Sequence, residues 1–379
     1  MRTARFLVML IVLGTFFLAN SAAGLGQERE ASILKKVESI TKGEKIKLEA
    51  KAFIRYWWQV QDPTVQGAGD KEPNANSFEV WRFYFGPKVE VTPWLTVRLT
   101  ADVGPESSET TEEAADGHTH KVPGSSRYEF FIKYAYADFR LAPKLHLEAG
   151  MIGNPHHGFT DKLWGGRYVA KNVGDANKLW NSADLGFDFS YELPGKLGSV
   201  GLGFVNGSGY KHALDNDANK ELWLHAELAP LASLGELAAR FKLAFILQYD
   251  VPIASGDEQA LLLSGLLGYQ GPNLAVGYQI ISRLTEPGDN ASVTGLAHGA
   301  YLRWISRFNV GVLGRLSMWD ADLDSDNVQT SYEALGGIFY TPISFCEFAL
   351  SGSGAWRSEL AGVDEEADIR VMLSTQFVL

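Results

Sequence analysis

Cysteine is all but missing from this 379-residue chain: Cys346 stands alone, so a disulfide framework and a thiolate metal cluster are both excluded. Positive charge is in deficit too. The 34 Lys and Arg face 45 Asp and Glu, a formal net charge of -11, which argues against a surface built to bind nucleic acid. After the first two dozen residues no 18-residue apolar run free of charge occurs, so membrane-spanning helices are not expected. What the chain does have is glycine, 39 of them, and aromatics, with 21 Phe, 14 Tyr and 10 Trp. That composition is neither collagen-like nor disordered.

At the N-terminus, Arg2 and Arg5 precede an apolar run over 6–19, and the small residues Ser21, Ala22 and Ala23 follow. This order reads as a secretory signal, 1–23, because the run is shorter than the roughly 20 residues a spanning helix requires. In 24–44, Ile33, Leu34, Val37 and Ile40 fall on one helical face, and a short periplasmic helix is expected there.

From residue 45 the hydrophobic period becomes two. Ile46, Leu48, Ala50, Ala52 and Ile54 alternate with Lys47, Glu49, Lys51, Phe53 and Arg55. Leu95, Val97, Leu99, Ala101 and Val103 oppose Thr96, Arg98, Thr100 and Asp102. Leu185, Phe187, Phe189 and Tyr191 oppose Asp184, Gly186, Asp188 and Ser190. A sandwich could give any one of these patterns, and the connections decide. Tight turns at 92–94, 142–144, 194–198, 233–237, 271–273, 305–308 and 341–344 alternate with long polar stretches, among them 104–127, 154–182 and 207–219. One plain rim and one elaborated rim is the plan of an outer-membrane barrel. We therefore expect an all-β, transmembrane antiparallel β-barrel over 45–379, with about 16 strands; the ninth is predicted at 238–250 and the thirteenth at 308–319. Trp57, Trp58, Trp94, Trp180, Tyr191, Trp223, Trp304, Trp319 and Trp356 lie near predicted strand ends, as interfacial girdles would.

With the apolar face toward lipid, the polar face lines a lumen. The channel-lining candidates are Arg82, Arg98, Asp102, Glu148, Asp188, Glu227, Arg240, Lys242, Arg283, Arg303, Arg307, Arg315 and Arg370. Their arginine excess points to easier passage of anions. Overall acidity does not contradict this, since Glu106, Glu109, Glu112, Glu113 and Asp116 crowd one expected exterior loop. The stretch 154–182 is long enough either to fold inward and narrow the barrel or to stay outside as a flexible loop. It brings Lys162, Arg167, Lys171 and Lys178 as constriction candidates.

The segments VWRFYFGPKVEVTPWLTVRLTADVG, YEFFIKYAYADFRLAPKLHLEAGMIGNP, GRYVAKNVG and ADLGFDFSYELPGKLGSVGLGFVNG follow one another over about 78–207. In this order of strand, short turn, strand and inserted segment the chain resembles the Gram-negative outer-membrane porins, in particular the phosphate-selective porin O and P type. The resemblance implies a 16-stranded, commonly trimeric barrel in the outer membrane, with inward loops and basic side chains that favour anions.

Competing chemistry has less to stand on. No G-x-S-x-G elbow or comparable nucleophile arrangement links the histidines, serines and carboxylates, so no enzyme activity, catalytic residue or cofactor is expected. His118 with His120, and His156 with His157, each offer two imidazoles where a closed zinc site takes four ligands. DLDSDNVQTSYE at 322–333 has acidic residues at calcium-loop positions but Asn327 where the turn needs glycine, so no metal site is assigned. Cys346 is expected to be a buried or lipid-facing thiol. The expected function is a porin for passive diffusion of small hydrophilic solutes and ions, with anions or phosphate as the expected preference. Its partners would be outer-membrane lipid, the solutes or inorganic anions, and sister chains of a homotrimer; the alternative is a structural or adhesive barrel with an occluded lumen.

Overall fold

The computed structural model describes residues 46–61, 76–105, 109–113, 119–123, 128–212, 215, 219–251, 259–286, 292–325, 328–358 and 367–379. The expected signal 1–23 and the expected helix in 24–44 lie outside the described residues. The wall is a single closed sheet of 16 antiparallel strands. They are β1 (Ile46–Gln61), β2 (Asn76–Thr92), β3 (Leu95–Pro105), β4 (Tyr128–Ala142), β5 (Leu145–Gly153), β6 (Ala183–Glu192), β7 (Gly198–Val205) and β8 (Lys220–Leu228). The second half comprises β9 (Phe241–Val251), β10 (Gln259–Gln270), β11 (Leu274–Glu286), β12 (Val293–Ile305), β13 (Val310–Asp320), β14 (Ser331–Ile343), β15 (Cys346–Arg357) and β16 (Asp368–Val378). Neighbours in sequence pair throughout, and β1 pairs with β16 to close the ring. At the seam, Ala50 N donates to Leu379 O (3.3 Å) and Leu379 N to Ala50 O (2.8 Å).

The alternation seen in the sequence sorts the two faces of this wall. On β6, Leu185, Phe187, Phe189 and Tyr191 point outward and are 48, 41, 38 and 43% exposed, while Asp184 and Asp188 point inward at 1 and 5%. Leu202, Leu224, Phe245, Leu263, Val276, Ile280, Leu302, Ile338 and Leu350 continue the outward apolar belt around the barrel. So continuous an apolar exterior suits contact with hydrocarbon and not with water.

The short connections and both ends of the wall share one rim, and the long connections share the other. Inside the long connection between β3 and β4, Glu109–Glu113 and Thr119–Pro123 pair as a separate two-stranded hairpin. Two of the expected wall arginines are displaced by the geometry of the short rim. Ala238–Arg240 form a 3-10 turn, so β9 starts at Phe241 and Arg240 sits in a connection, bonded to Glu236 (3.0 Å). Arg307 lies in the turn 306–309, its guanidinium 4.7 Å from the ring centre of Phe308, and the chain reverses there through Asn309 at φ 62°.

The girdle expectation holds for part of the set. Trp58, Trp94, Tyr191, Trp304 and Trp356 are exposed on the outer face. Trp180 and Trp223, by contrast, are buried in the interior, and Trp57 and Trp319 pack against the same internal cluster. Nearness to a strand end does not reveal which face a side chain takes. Two bulges add to this: the register between β3 and β4 shifts after Thr100, leaving Lys133 as an extra residue, and that between β1 and β2 shifts after Phe53, leaving Trp81.

Leu263 lies mid-strand on the outward face of β10, opposite Leu247 and Ser282. Leu263→Arg is expected to cost the inserted barrel about 2–4 kcal/mol. Urea-driven unfolding from lipid bilayers measures it, and an unchanged midpoint would contradict the outward assignment.

Candidate functional site

The segment between β5 and β6 folds inward. Asn154 caps its first helix, α1 (Pro155–Trp164), with Oδ1 accepting from His157 N (3.1 Å), and Pro155 supplies the first turn at no cost in lost donors. The helix ends at Gly165, at φ 61°, whose N–H donates to Asp161 O. Glycine suits this left-handed conformation, and a Cβ would also lie 2.6 Å from Arg303 Cδ. Asn172 then caps a short second helix, α2 (Val173–Ala176).

This insert is bound to the inner faces of β10–β12. Gln279, fully buried, is the centre of the attachment. Its amide nitrogen reaches His156 Nε2 (3.0 Å) and Ser264 Oγ (3.2 Å), and its oxygen accepts from Tyr301 OH (2.9 Å). Ser264 Oγ is in turn 2.8 Å from His156 Nε2, and Tyr301 OH accepts from Val173 N (3.0 Å). Room for this contact comes from the wall: a Cβ on Gly277 or Gly268 would lie 2.2 or 2.8 Å from Leu163, and one on Gly299 2.7 Å from Val173. Phe159, Leu163, Trp164, Tyr168, Val169, Val173 and Trp180 form a buried apolar cluster inside the barrel.

Charges tie the insert to itself. Arg167 bridges Asp161 (3.6 Å) and Asp175, Lys171 reaches Asp175 (3.1 Å), and His157 reaches Asp161 (3.2 Å). Burial favours neutral carboxyl groups at Asp161 and Asp175, but the surrounding cations outweigh it and hold both well below the ordinary carboxylate range. Burial, with His157 and His225 nearby, lowers His156 to about 3. It therefore meets Gln279 and Ser264 as a neutral imidazole. Arg167 is within electrostatic reach of Arg82 and Tyr84 on β2 and of Lys133 on β4. In a ring of 16 strands β3 lies opposite β11, so the insert runs from the β10–β12 wall toward the facing one. Of the constriction candidates, Arg167 and Lys171 are therefore ion-paired, whereas Lys162 and Lys178 are exposed and make no ion pair among the described residues.

The lining candidates separate into groups. Arg82 faces Asp102 (3.3 Å), Arg98 faces Glu49 (2.6 Å), and Arg303 forms a fork with Glu347 (2.8 and 2.6 Å). Arg315 donates to Glu333 and to Lys171 O, and Arg370 reaches Asp368 (2.7 Å). Asp188 is bound to His225 (2.9 Å), with Glu148 beside it in the register and Asp138 on the far side of Glu148. Glu227, Lys242 and Arg283 are half-buried on the same inner face. Asp184 instead organises the loop after β7, its Oδ2 accepting from Gly207 N (3.0 Å) and Gly209 N (2.9 Å). The periodicity also places Gln279 on the polar inner face, whereas Tyr301, Ser264 and Lys133 are residues it did not single out. Lys133 Nζ donates to Ser182 Oγ (2.7 Å) and lies 4.6 Å from the ring centre of Tyr210. Three inward glycines on adjacent strands, Gly268, Gly277 and Gly299, were the available signal that something packs closely against β10–β12.

No family model matches the chain, and no curated protein does. Solved structures do. An anion-selective porin from Comamonas acidovorans superposes with a TM-score of 0.62 at 7% identity, over 88% of this chain and 99% of that one. OprB of Pseudomonas putida gives 0.59 at 10% identity, over 91% and 97%. OmpT of Vibrio cholerae, in a trimer form, gives 0.55 at 9% identity, over 88% and 100%. The fold is that of the outer-membrane porins. At these identities the likeness establishes architecture alone, and it is to porins broadly, not to the porin O and P type in particular.

Two outcomes are expected at the insert. Gln279→Leu strands the partners of the amide and should cost the attachment about 1–3 kcal/mol, seen as faster hydrogen exchange at 154–182 with the β11 amides unchanged. The second outcome is a pH dependence. His156, Asp161 and Asp175 all bind protons less readily here than in an unfolded chain, whose values are ~6.5 and ~3.9. Their contribution is therefore complete above about pH 6.5 and declines as the pH falls, through His156 first and the two aspartates below about pH 4. Exchange protection of 154–182, corrected for intrinsic rates, should fall over that window; constant protection down to pH 3.5 would oppose it.

Proposed function

We propose that the protein is a porin in the outer membrane of a Gram-negative bacterium, a water-filled channel through which small hydrophilic solutes and ions diffuse passively. The observation that carries this is the sorting of one closed wall into an apolar exterior and a charged interior, with segment 154–182 attached inside. No covalent step is needed. The interior imidazoles support transport over catalysis, since His156, His157 and His225 are engaged by Gln279, Asp161 and Asp188 respectively.

Anion preference is the finer reading. Arg82, Arg98, Arg303, Arg315 and Arg370 each lie against a carboxylate, which cancels much of their field along a path. Arg283, Lys162, Lys178 and Lys242 make no ion pair among the described residues, and a preference for anions would rest on them. The named anion selectivity of the Comamonas porin supports it. A dense phosphate-binding ladder cannot be matched to these positions, so inorganic anions in general are the better class. The trimer form of OmpT supports a homotrimer. A second reading, a structural or adhesive barrel with an occluded lumen, is favoured by one observation: the large aromatic cluster that the insert places inside the ring.

Conductance in a planar bilayer under a salt gradient distinguishes the two. A stable open state with a reversal potential on the anion side is expected, and Arg283→Gln should move that potential toward the cation side. Inserted barrels that stay closed at every voltage would shift the assignment to the structural reading.

A further inference from the structure

On the outer face of β5–β9 the apolar belt is hollowed. Leu145, Tyr191, Val200, Ala226 and Phe245 stand opposite one another in the register of these five strands. Val200 and Ala226 are short beside the aromatic rings that flank them, and with Phe189, Leu202 and Leu224 of the next row they line a depression of ≈ 540 Å³. Toward the short-turn rim, the next outward position on β7 is Gly198, which has no side chain to close it. Water finds few hydrogen-bond partners in so apolar a hollow, and left empty it would forfeit dispersion contacts along its whole lining. Its occupant is therefore hydrocarbon.

The adjoining rim carries a second, independent feature. In the connection 229–240, Leu231, Leu234 and Leu237 are exposed at a spacing of three, the period of its 3-10 turns, and Leu234 and Leu237 are 73 and 66% exposed. Leucines this bare suit the boundary between headgroups and acyl chains better than water. The first of these turns lies beside Pro194–Lys196, the turn that joins β6 to β7. Lys196 is exposed there and makes no ion pair among the described residues. Of the nearby acids, Glu236 is bound to Arg240 (3.0 Å) and Glu192 alternates onto the inner face. The turn begins three residues beyond Tyr191, about 10 Å along the strand, a separation that a glycerophosphate and the head of its acyl chain can span.

We infer that this face is a binding site for a phospholipid of the periplasmic leaflet, with one acyl chain in the hollow of β5–β9 and the headgroup phosphate on Lys196. The hollow is continuous with the lipid-facing belt, and the short turns of an outer-membrane barrel lie on the periplasmic side, where the leaflet is phospholipid. A second copy of the chain fits less well. Two convex walls meet along a line and leave a hollow between them unfilled, whereas a flexible chain follows its shape. The site lies outside the wall and is independent of the channel reading.

The test is native mass spectrometry of the folded, detergent-solubilised barrel, titrated with palmitoyl-oleoyl phosphatidylethanolamine and, separately, with palmitoyl-oleoyl glycerol, which has the same chains and no phosphate. One phospholipid per chain should be retained, at least threefold more tightly than the diacylglycerol. Ala226→Trp fills the hollow and should weaken both lipids at least tenfold. Lys196→Gln, on an exposed turn where it leaves the wall intact, should weaken the phospholipid at least threefold and leave the diacylglycerol unchanged. Diacylglycerol bound as tightly as phospholipid overturns the phosphate contact, and retention unaltered by Ala226→Trp overturns the groove. An oligomer that Ala226→Trp disperses while phospholipid retention persists assigns the face to a second copy instead. Planar-bilayer conductance keeps the two readings apart: a conducting barrel that retains no phospholipid loses this site alone, and a closed barrel that retains it loses the channel alone.

Discussion

A peptide group that faces hydrocarbon has no water to bond, and leaving it unpaired costs several kcal/mol. A sheet with two free edges would expose a row of such groups, so the pairing of β1 with β16 decides whether the other strands can lie in a membrane at all. The seam runs from the Lys51–Val378 pair to the Gln61–Ile369 pair, with a single irregularity near Gln59. Once it is closed, every strand has two neighbours, and the pleat alone determines which side chains meet lipid. Asp184 and Leu185, adjacent in sequence, thereby come to occupy opposite environments.

The same constraint, turned inward, explains the insert. A chain segment crossing a lumen must satisfy its own polar groups, and it does so with two asparagine caps, an αL glycine and the Arg167 clamp on Asp161 and Asp175. Its attachment is centred on β11. Gln279 joins His156 to Tyr301, and Tyr301 to the first amide of α2, so one buried amide couples both helices to the wall. Such a network is favourable only when complete, because low dielectric strengthens each bond and equally raises the penalty for a missing partner.

Much of the wall was legible in the sequence because period two leaves a strong trace wherever large apolar residues alternate with charge, as on β3 and β6. The positions that resisted are those where the backbone departs from that period. Lys133 stands at a bulge, and the alternation of its neighbours gives no sign that its ammonium turns inward beside Tyr210. Arg240 follows an apolar stretch that extends a strand pattern backward, yet it ends the second of two 3-10 turns, Ala232–Leu234 and Ala238–Arg240, which take it off the wall. Trp180 and Trp223 lie near strand ends, as girdle residues do, but that criterion is blind to face. The pairing of arginines was also out of reach. Arg98 and Glu49, or Arg303 and Glu347, are brought together by strand order and register, which no local pattern encodes.

That pairing bears on how such an interior can serve diffusion. A lumen lined by uncompensated cations would hold anions tightly, and an ion that binds too well leaves slowly. Matching most arginines with carboxylates across neighbouring strands keeps the surface hydrated and polar while flattening the potential along it. The departures from matching then acquire weight. Arg283 and Lys178 lie together on one cavity at the long-loop end of the interior, whereas Arg82, Arg98 and Arg303 are neutralised by partners on neighbouring or nearby strands. Selectivity in this barrel is therefore better sought where its charges are left over than where its arginines are most numerous.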